Sequence, residues 1–206
     1  MSTVQASDLE KIIGRGVKDY LSPLQANNLV LQFILAATDP ISPDCLKFLT
    51  RFLTPREYDE IIEERTVISR CGYPTCTYML RDGKGNIRSP QNQTVLAWQH
   101  HFCQLNCYQS SQFYREQLSN EPLVTRKDVA CSKFGQMHYE EEALLLPEVQ
   151  AVAKLNNKSV LDTMVEMVKN QKLNEKLQNL SLLQEDEAEE AQKDPVVSLQ
   201  IQEKNV

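Results

Sequence analysis

Helical periodicity over the first 67 residues, a stretch at 71–101 broken by glycine and proline, and two cysteine pairs at its ends predict the fold class. It is mainly α-helical with a small β-hairpin, organised around four cysteines. With 206 residues, the chain is long enough for one domain with extensions. The expected boundaries are a helical, cysteine-centred domain at 1–140, a C-terminal helical extension at 141–183, and an acidic, flexible tail at 184–206.

Val4, Leu9, Ile12, Ile13, Val17, Tyr20 and Leu21 recur at helical spacing and predict a first helix over 3–21, with Ser7 and Glu10 as a possible internal capping box. Ser22-Pro23 opens a second helix, whose apolar face is Leu24, Leu29, Val30, Phe33, Ile34 and Ala37, and Asp39-Pro40 ends it. A third helix is expected from Ser42 to Leu53. Thr54-Pro55-Arg56-Glu57 combines a capping hydroxyl, a proline at the first helical position and a reciprocal acid, so a fourth helix starts there and runs toward Val67.

Arg81-Asp82-Gly83-Lys84-Gly85 is a turn signal, and strands near Tyr78–Leu80 and Asn86–Arg88 are expected to pair around it. A helix is then predicted from Cys103 to about Ser119, with a short turn opened by Pro122. Pro147 opens another helical segment. Ser159 with Asp162 caps an amphipathic stripe that runs from Leu161 to about residue 183.

Composition narrows the function classes. The apolar fraction is 41% and the charged fraction 24%, ordinary values for a globular protein, and no apolar run approaches the roughly 20 residues that cross a bilayer. Met1–Leu21 mixes acids and bases and lacks a secretory pattern, so the expectation is an intracellular protein with no membrane partner. The net charge of -6 is uneven: residues 51–134 carry 11 Lys and Arg against 9 Asp and Glu, whereas 135–206 carry 7 Lys against 14 acids. That balance argues against direct nucleic-acid binding and leaves room for a local anion site in the middle of the chain.

A reducing compartment makes disulfides rare, so paired cysteines there read as metal ligands. Cys71 and Cys76 are spaced C-x4-C, and Cys103 and Cys107 are spaced C-x3-C after a gap of 26 residues. Zinc takes four thiolates at tetrahedral corners. Gly72 and Pro74 permit a bend that turns the first two sulfurs inward, and cysteines four apart on a helix share one face. Four cysteine ligands leave no open position for a catalytic water, so the expected zinc is structural. His100 and His101 are alternative ligands, and Cys45 and Cys131 read as isolated thiols.

The order of short motifs adds a resemblance. Phe52-Leu53-Thr54-Pro55, Glu63-Glu64-Arg65, Arg70-Cys71-Gly72-Tyr73-Pro74-Thr75-Cys76, Phe102-Cys103-Gln104-Leu105-Asn106-Cys107 and Ser110-Ser111-Gln112-Phe113-Tyr114 follow one another here. This resembles the atypical phosphatases of the RNA polymerase II carboxy-terminal domain, comprising the fungal regulator-of-transcription proteins and the animal polymerase-associated phosphatases. The resemblance covers roughly residues 25–125. It implies a helical fold around an unusual zinc finger, with Cys71, Cys76, Cys103 and Cys107 as ligands. Some fungal relatives have His at the last ligand position, and Cys107 follows the animal variant.

It also implies a protein serine phosphatase acting on the polymerase tail heptad, chiefly at the fifth position. Polymerase II binding and residence in both nucleus and cytoplasm are implied as well, and the expected state is a monomer.

No C-x5-R loop or aspartyl-phosphate motif is present. The catalytic candidates are therefore Glu64 as general base and Arg65 as a phosphate clamp. Arg70, Arg88 and Arg115 are phosphate-binding candidates, with Tyr114 in support. Phe102 stands where relatives carry Tyr, so that hydroxyl is missing here. The alternative reading is a non-catalytic polymerase-binding, assembly or import factor.

Overall fold

A computed structural model describes residues 3–13, 19–80, 97–131 and 133–171. The helices are α1 Ala6–Ile13, α2 Pro23–Ala37, α3 Pro43–Leu49, α4 Pro55–Val67, α5 Leu105–Arg115, α6 His138–Glu142 and α7 Leu146–Leu155, with 3-10 turns at Ala97–His100 and Leu123–Thr125. The chain divides at Thr163 and Met164 into two units, and all these elements belong to the first. In the second, residues 164–171 are helical. The acidic tail and the stripe beyond residue 171 lie outside the described residues.

The three helices that open on a hydroxyl followed by proline start where the sequence places them. Ser22, Ser42 and Thr54 accept hydrogen bonds from the backbone N–H groups of Gln25, Cys45 and Glu57 at 3.4, 3.2 and 3.4 Å. Proline at the first helical position loses no bond, because that N–H has no intrahelical acceptor. At two of the starts the third helical residue returns the favour, with Ser22 N–H donating to Gln25 Oε1 and Thr54 N–H to Glu57 Oε2.

Elsewhere the boundaries differ from the expectation, for identifiable reasons. The first helix begins at Ala6 rather than residue 3, because Val4 lies alongside Ile41 as an isolated parallel bridge. There Val4 N–H donates to Pro40 O, and Ser42 N–H to Val4 O. The third helix stops at Leu49, and Phe52 and Leu53 both return their N–H groups to the Leu49 carbonyl. Cys103 precedes α5 and does not sit on it.

No strand occurs among the described residues. Tyr78–Leu80 instead meets the end of α4: Arg70 opposes Met79, Cys71 N–H donates to Tyr78 O, and Leu80 N–H donates to Ser69 O. Asn86–Arg88, the expected partner strand, lies outside the described residues. Pairing with Ser69–Cys71 is local, and Ser69 at φ 60° supplies the reversal.

The core gathers Leu9, Phe33, Ile41, Leu46, Phe48, Leu49, Phe52, Leu53, Tyr58 and Ile61, all effectively without solvent contact. Burying one such side chain contributes about 2 kcal/mol. α2 packs on α4, α1 on α2 and α3, α3 on α6, and α5 on α7. Within this apolar mass Arg51 is fully buried, ion-paired to buried Glu140 of α6, and donates to the carbonyls of Val129 and Lys133. Its guanidinium also lies 4.7 Å from the Phe48 ring centre. Arg126 is likewise buried and reads the carbonyls of Arg51, Leu53, Ser119 and Glu121. These cations replace missing secondary structure by satisfying carbonyls of the irregular 50–53 and 119–133 segments.

Removing one partner of a buried ion pair strands the other charge. Glu140→Gln is therefore expected to lower unfolding free energy by about 3 kcal/mol. The double change Arg51→Met, Glu140→Leu should recover part of that loss, since no charge is then left buried. Urea unfolding followed by circular dichroism measures both. A double variant no more stable than Glu140→Gln would contradict this account.

Candidate metal centre

The C-terminus of α4 leads straight into the first cysteine pair. Arg70 N–H donates to Arg65 O and Cys76 N–H to Tyr73 O, closing a tight bend over Cys71–Cys76. The bend is pressed against the segment before the second pair, where Gly72 N–H donates to His101 O at 2.6 Å. A Cβ at Gly72 would lie 2.7 Å from Ile62 Cγ2 and 3.0 Å from His101 O, so only glycine fits that approach. Pro74 O accepts from Ile41 N–H, tying the bend to the start of α3.

This packing brings together all four cysteines singled out in the sequence. Their sulfurs lie within 4.8 Å of one another, with Cys76 to Cys103 at 3.7 Å and Cys103 to Cys107 at 3.6 Å. Metal–sulfur bonds of about 2.3 Å at tetrahedral angles place sulfurs about 3.8 Å apart, so the cluster fits one soft ion. Cys103 N–H donates to Cys71 Sγ at 3.5 Å, and Gln104 Nε2 lies 3.9 Å from Cys107 Sγ. Such donors stabilise thiolate ligands and hold them in place. His100 and His101 are not in the cluster, and no other such cluster occurs among the described residues.

The thiols cannot ionise independently. Hydrogen bonds from the Cys107 and Cys76 thiols hold the Cys71 thiol far below its ordinary value. Burial, together with the neighbouring Cys71 charge, pushes Cys103 up to about 12. One thiolate is thus favoured and the next resisted, unless a divalent cation offsets their repulsion. The donor set, spacing and electrostatics fit a bound metal.

Arg65 holds this arrangement from behind. It is fully buried. Nε donates to Cys71 O at 2.8 Å and NH2 to Cys76 O at 2.8 Å, so one side chain fixes the backbone of both cysteines of the first pair. NH1 reaches the carbonyls of Ala37, Thr38 and Asp39 at the end of α2. A helix C-terminus leaves such carbonyls without donors and carries partial negative charge, which favours a cation there. Burial pulls the Arg65 pKa below its ordinary value. The guanidinium nonetheless stays charged, because arginine starts so high.

The other polar candidates are dispersed. Enclosed by protein, Arg65 has no face open to a phosphate. Glu64 lies on the exposed side of α4. Arg70 donates to Thr38 O and to Asp39 Oδ1 at 2.6 Å. Arg115 forms a two-pronged ion pair with Asp59, both contacts 2.7 Å. Tyr114 is buried in the core, donating to Leu46 O and accepting from Thr50. Arg88 lies outside the described residues. Cys45 is a buried thiol facing Val4 O, and Cys131 is exposed. Sequence reasoning missed the anchoring role of Arg65, since nothing local distinguishes a buried arginine from a surface one.

Metal removal is expected to unfold the contact between the bend and the Phe102–Cys107 segment. Protons compete with metal for thiolates, so the site should empty as pH falls, and at neutral pH on treatment with a strong chelator. Metal content by elemental analysis, with proteolysis at Tyr73–Thr75 as a structural readout, tests this. Gly72→Ala should retain less metal than the unaltered chain, and Arg65→Met less still. Full metal content in Arg65→Met would refute the anchoring role.

Three comparisons place this arrangement among known proteins. Residues 51–119 match the family described as Rtr1/RPAP2. A Saccharomyces cerevisiae protein named RNA polymerase II subunit B1 CTD phosphatase RTR1 is 36% identical over 124 residues, 53% of this chain and 52% of that protein. A Schizosaccharomyces pombe protein, rtr1, provisionally given the same activity in its name, is 30% identical over 107 residues, 52% of this chain and 54% of that protein. The chain thus spans about half the length of the curated relatives it matches. The crystal structure of S. cerevisiae Rtr1, regulator of transcription, superposes with a TM-score of 0.62 at 26% identity, covering 74% of this chain and 99% of that one. Over residues 51–119, the chain is similar to the Rtr1/RPAP2 family.

Proposed function

We propose that the chain holds a structural zinc ion through Cys71, Cys76, Cys103 and Cys107, and acts as a protein serine phosphatase on the RNA polymerase II carboxy-terminal domain. The observation that carries this reading is the coincidence of two things. The sulfur cluster is spaced for one tetrahedral ion, and it lies wholly inside the matched segment 51–119. Relatives similar to about half of the chain are named as phosphatases of this tail. All-thiolate coordination favours zinc over harder ions and closes the coordination sphere. The metal then supplies a rigid link between the bend and the start of α5. Chemistry falls to nearby side chains.

In this reading the fifth-position serine phosphate of the heptad is the favoured substrate. Glu64 deprotonates or orients water, and Arg70 with Arg88 neutralises phosphoryl oxygens. Arg65 acts through the knuckle backbone as a positioning residue, and Arg115 acts only if Asp59 releases it. The chain works as a monomer on polymerase in the nucleus, passing through the cytoplasm, without contacting nucleic acid.

One observation favours the second reading, a non-catalytic polymerase-binding, assembly or import factor. Arg65 is enclosed by carbonyls, and Arg70 and Arg115 are both paired with carboxylates. Little of the candidate cationic machinery is therefore free for phosphate.

Phosphate release from heptad peptides bearing one phosphoserine each, measured with full-length protein of known zinc content, separates the two. For the phosphatase, fifth-position peptides should be processed fastest. Glu64→Ala should lower kcat/KM about 100-fold, the scale of a lost general base, with zinc content unchanged. Equal, low release by both proteins, with polymerase binding retained, would establish the scaffold.

A further inference from the structure

Beside the metal centre, on the face formed by α4, α5 and the Ala97–His100 turn, lies a groove of about 370 Å³ that the functions above do not use. Its floor is aromatic and aliphatic. Trp98 stacks on Tyr108 with ring centres 6.1 Å apart, Phe102 meets Tyr108 edge-on at 5.6 Å, and Ile62 lies alongside. Its rim carries Asp59, Glu63 and His101. No lysine or arginine lines it among the described residues.

The lining carries two carboxylates, an imidazole and the Gln112 amide, and one of the carboxylates is uncompensated. Asp59 is compensated by its two-pronged pair with Arg115. Glu63 is exposed and has no ion-pair partner among the described residues. Thr66 gives its hydroxyl proton to Ile62 O at 2.7 Å, so at 3.1 Å it accepts from His101 Nδ1. That fixes the ring and leaves Nε2 as the nitrogen available to a ligand. A phosphate entering here would meet Glu63 and no lining lysine or arginine, so the charge disfavours the phosphoserine substrate proposed above.

We propose that this groove binds a lysine or arginine side chain of a partner polypeptide. The apolar stem lies along Ile62 and Phe102. The cationic head faces the Trp98 and Tyr108 rings and Glu63. An aromatic floor attracts a cation through the ring quadrupole, and the rim carboxylate of Glu63 adds charge complementarity. The inference does not depend on the phosphatase reading, because none of these residues is placed in that chemistry.

Trp98 is the only tryptophan in the chain, so its fluorescence and its indole N–H resonance report this groove alone. Full-length, metal-loaded protein is titrated with acetyl-Gly-Lys-Gly-amide and its arginine counterpart. Two controls accompany them: the norleucine tripeptide, which keeps the stem without the charge, and a fifth-position phosphoserine heptad peptide. The cationic peptides should give a saturable change, with the norleucine peptide at least about tenfold weaker.

Glu63→Gln should raise Kd about fivefold, and 0.5 M salt should weaken binding in the unaltered chain. Tyr108→Leu, with metal content confirmed, should abolish the response. Equal binding of the norleucine peptide would overturn the proposal. So would a saturable response to the phosphoserine peptide alone, or no saturable response to any of them. Phosphate release is measured separately, so either idea can fail while the other stands.

Discussion

The guanidinium of Arg65 ties the metal centre to the helical core. It reaches the carbonyls at the end of α2 and those of Cys71 and Cys76 in the bend, from a position with no solvent contact. Each end needs a donor: the helix terminus has carbonyls left over, and the bend is too tight to satisfy its own. Because the charge sits against the negative end of a helix, part of its desolvation cost is offset there. Convergence of the four sulfurs thus depends on a contact in which no sulfur takes part.

The same device recurs. Arg51 and Arg126 are buried among irregular segments and satisfy their carbonyls, while Glu140 balances Arg51. With short helices and no strand among the described residues, backbone pairing alone leaves the segments at 50–53 and 119–133 under-satisfied. Buried arginines supply several donors from one side chain and remain charged at any ordinary pH. A small helical domain is thereby given long-range polar links that its helices do not provide.

Function is organised around this rigidity. The bend, the cysteine cluster and the aromatic groove share one wall, since Gly72 packs on Ile62, His101 and Phe102, and the last three also line the groove. A shift in the bend would therefore be felt on the groove face. Among the described residues, the arginines that a phosphate site would recruit are engaged in structure or in ion pairs. The proposed chemistry and the proposed groove binding accordingly fall on neighbouring, separable surfaces.

The sequence by itself determined the helical class, the starts of α2, α3 and α4, and which four cysteines gather in one cluster. In each case the physics is local: a capping hydroxyl, a proline without an N–H, or thiols at chelating spacing. Helix limits were less legible: α1 starts late because Val4 pairs with Ile41, and α3 gives way after Leu49 to a turn in which Phe52 and Leu53 return to the Leu49 carbonyl. Tertiary structure alone decided that Arg65 is an anchor, that Tyr78–Leu80 pairs with Ser69–Cys71, and that Trp98, Tyr108 and Glu63 face one groove. Those outcomes depend on which distant carbonyls and rings arrive beside a side chain, and a linear pattern does not encode that arrival.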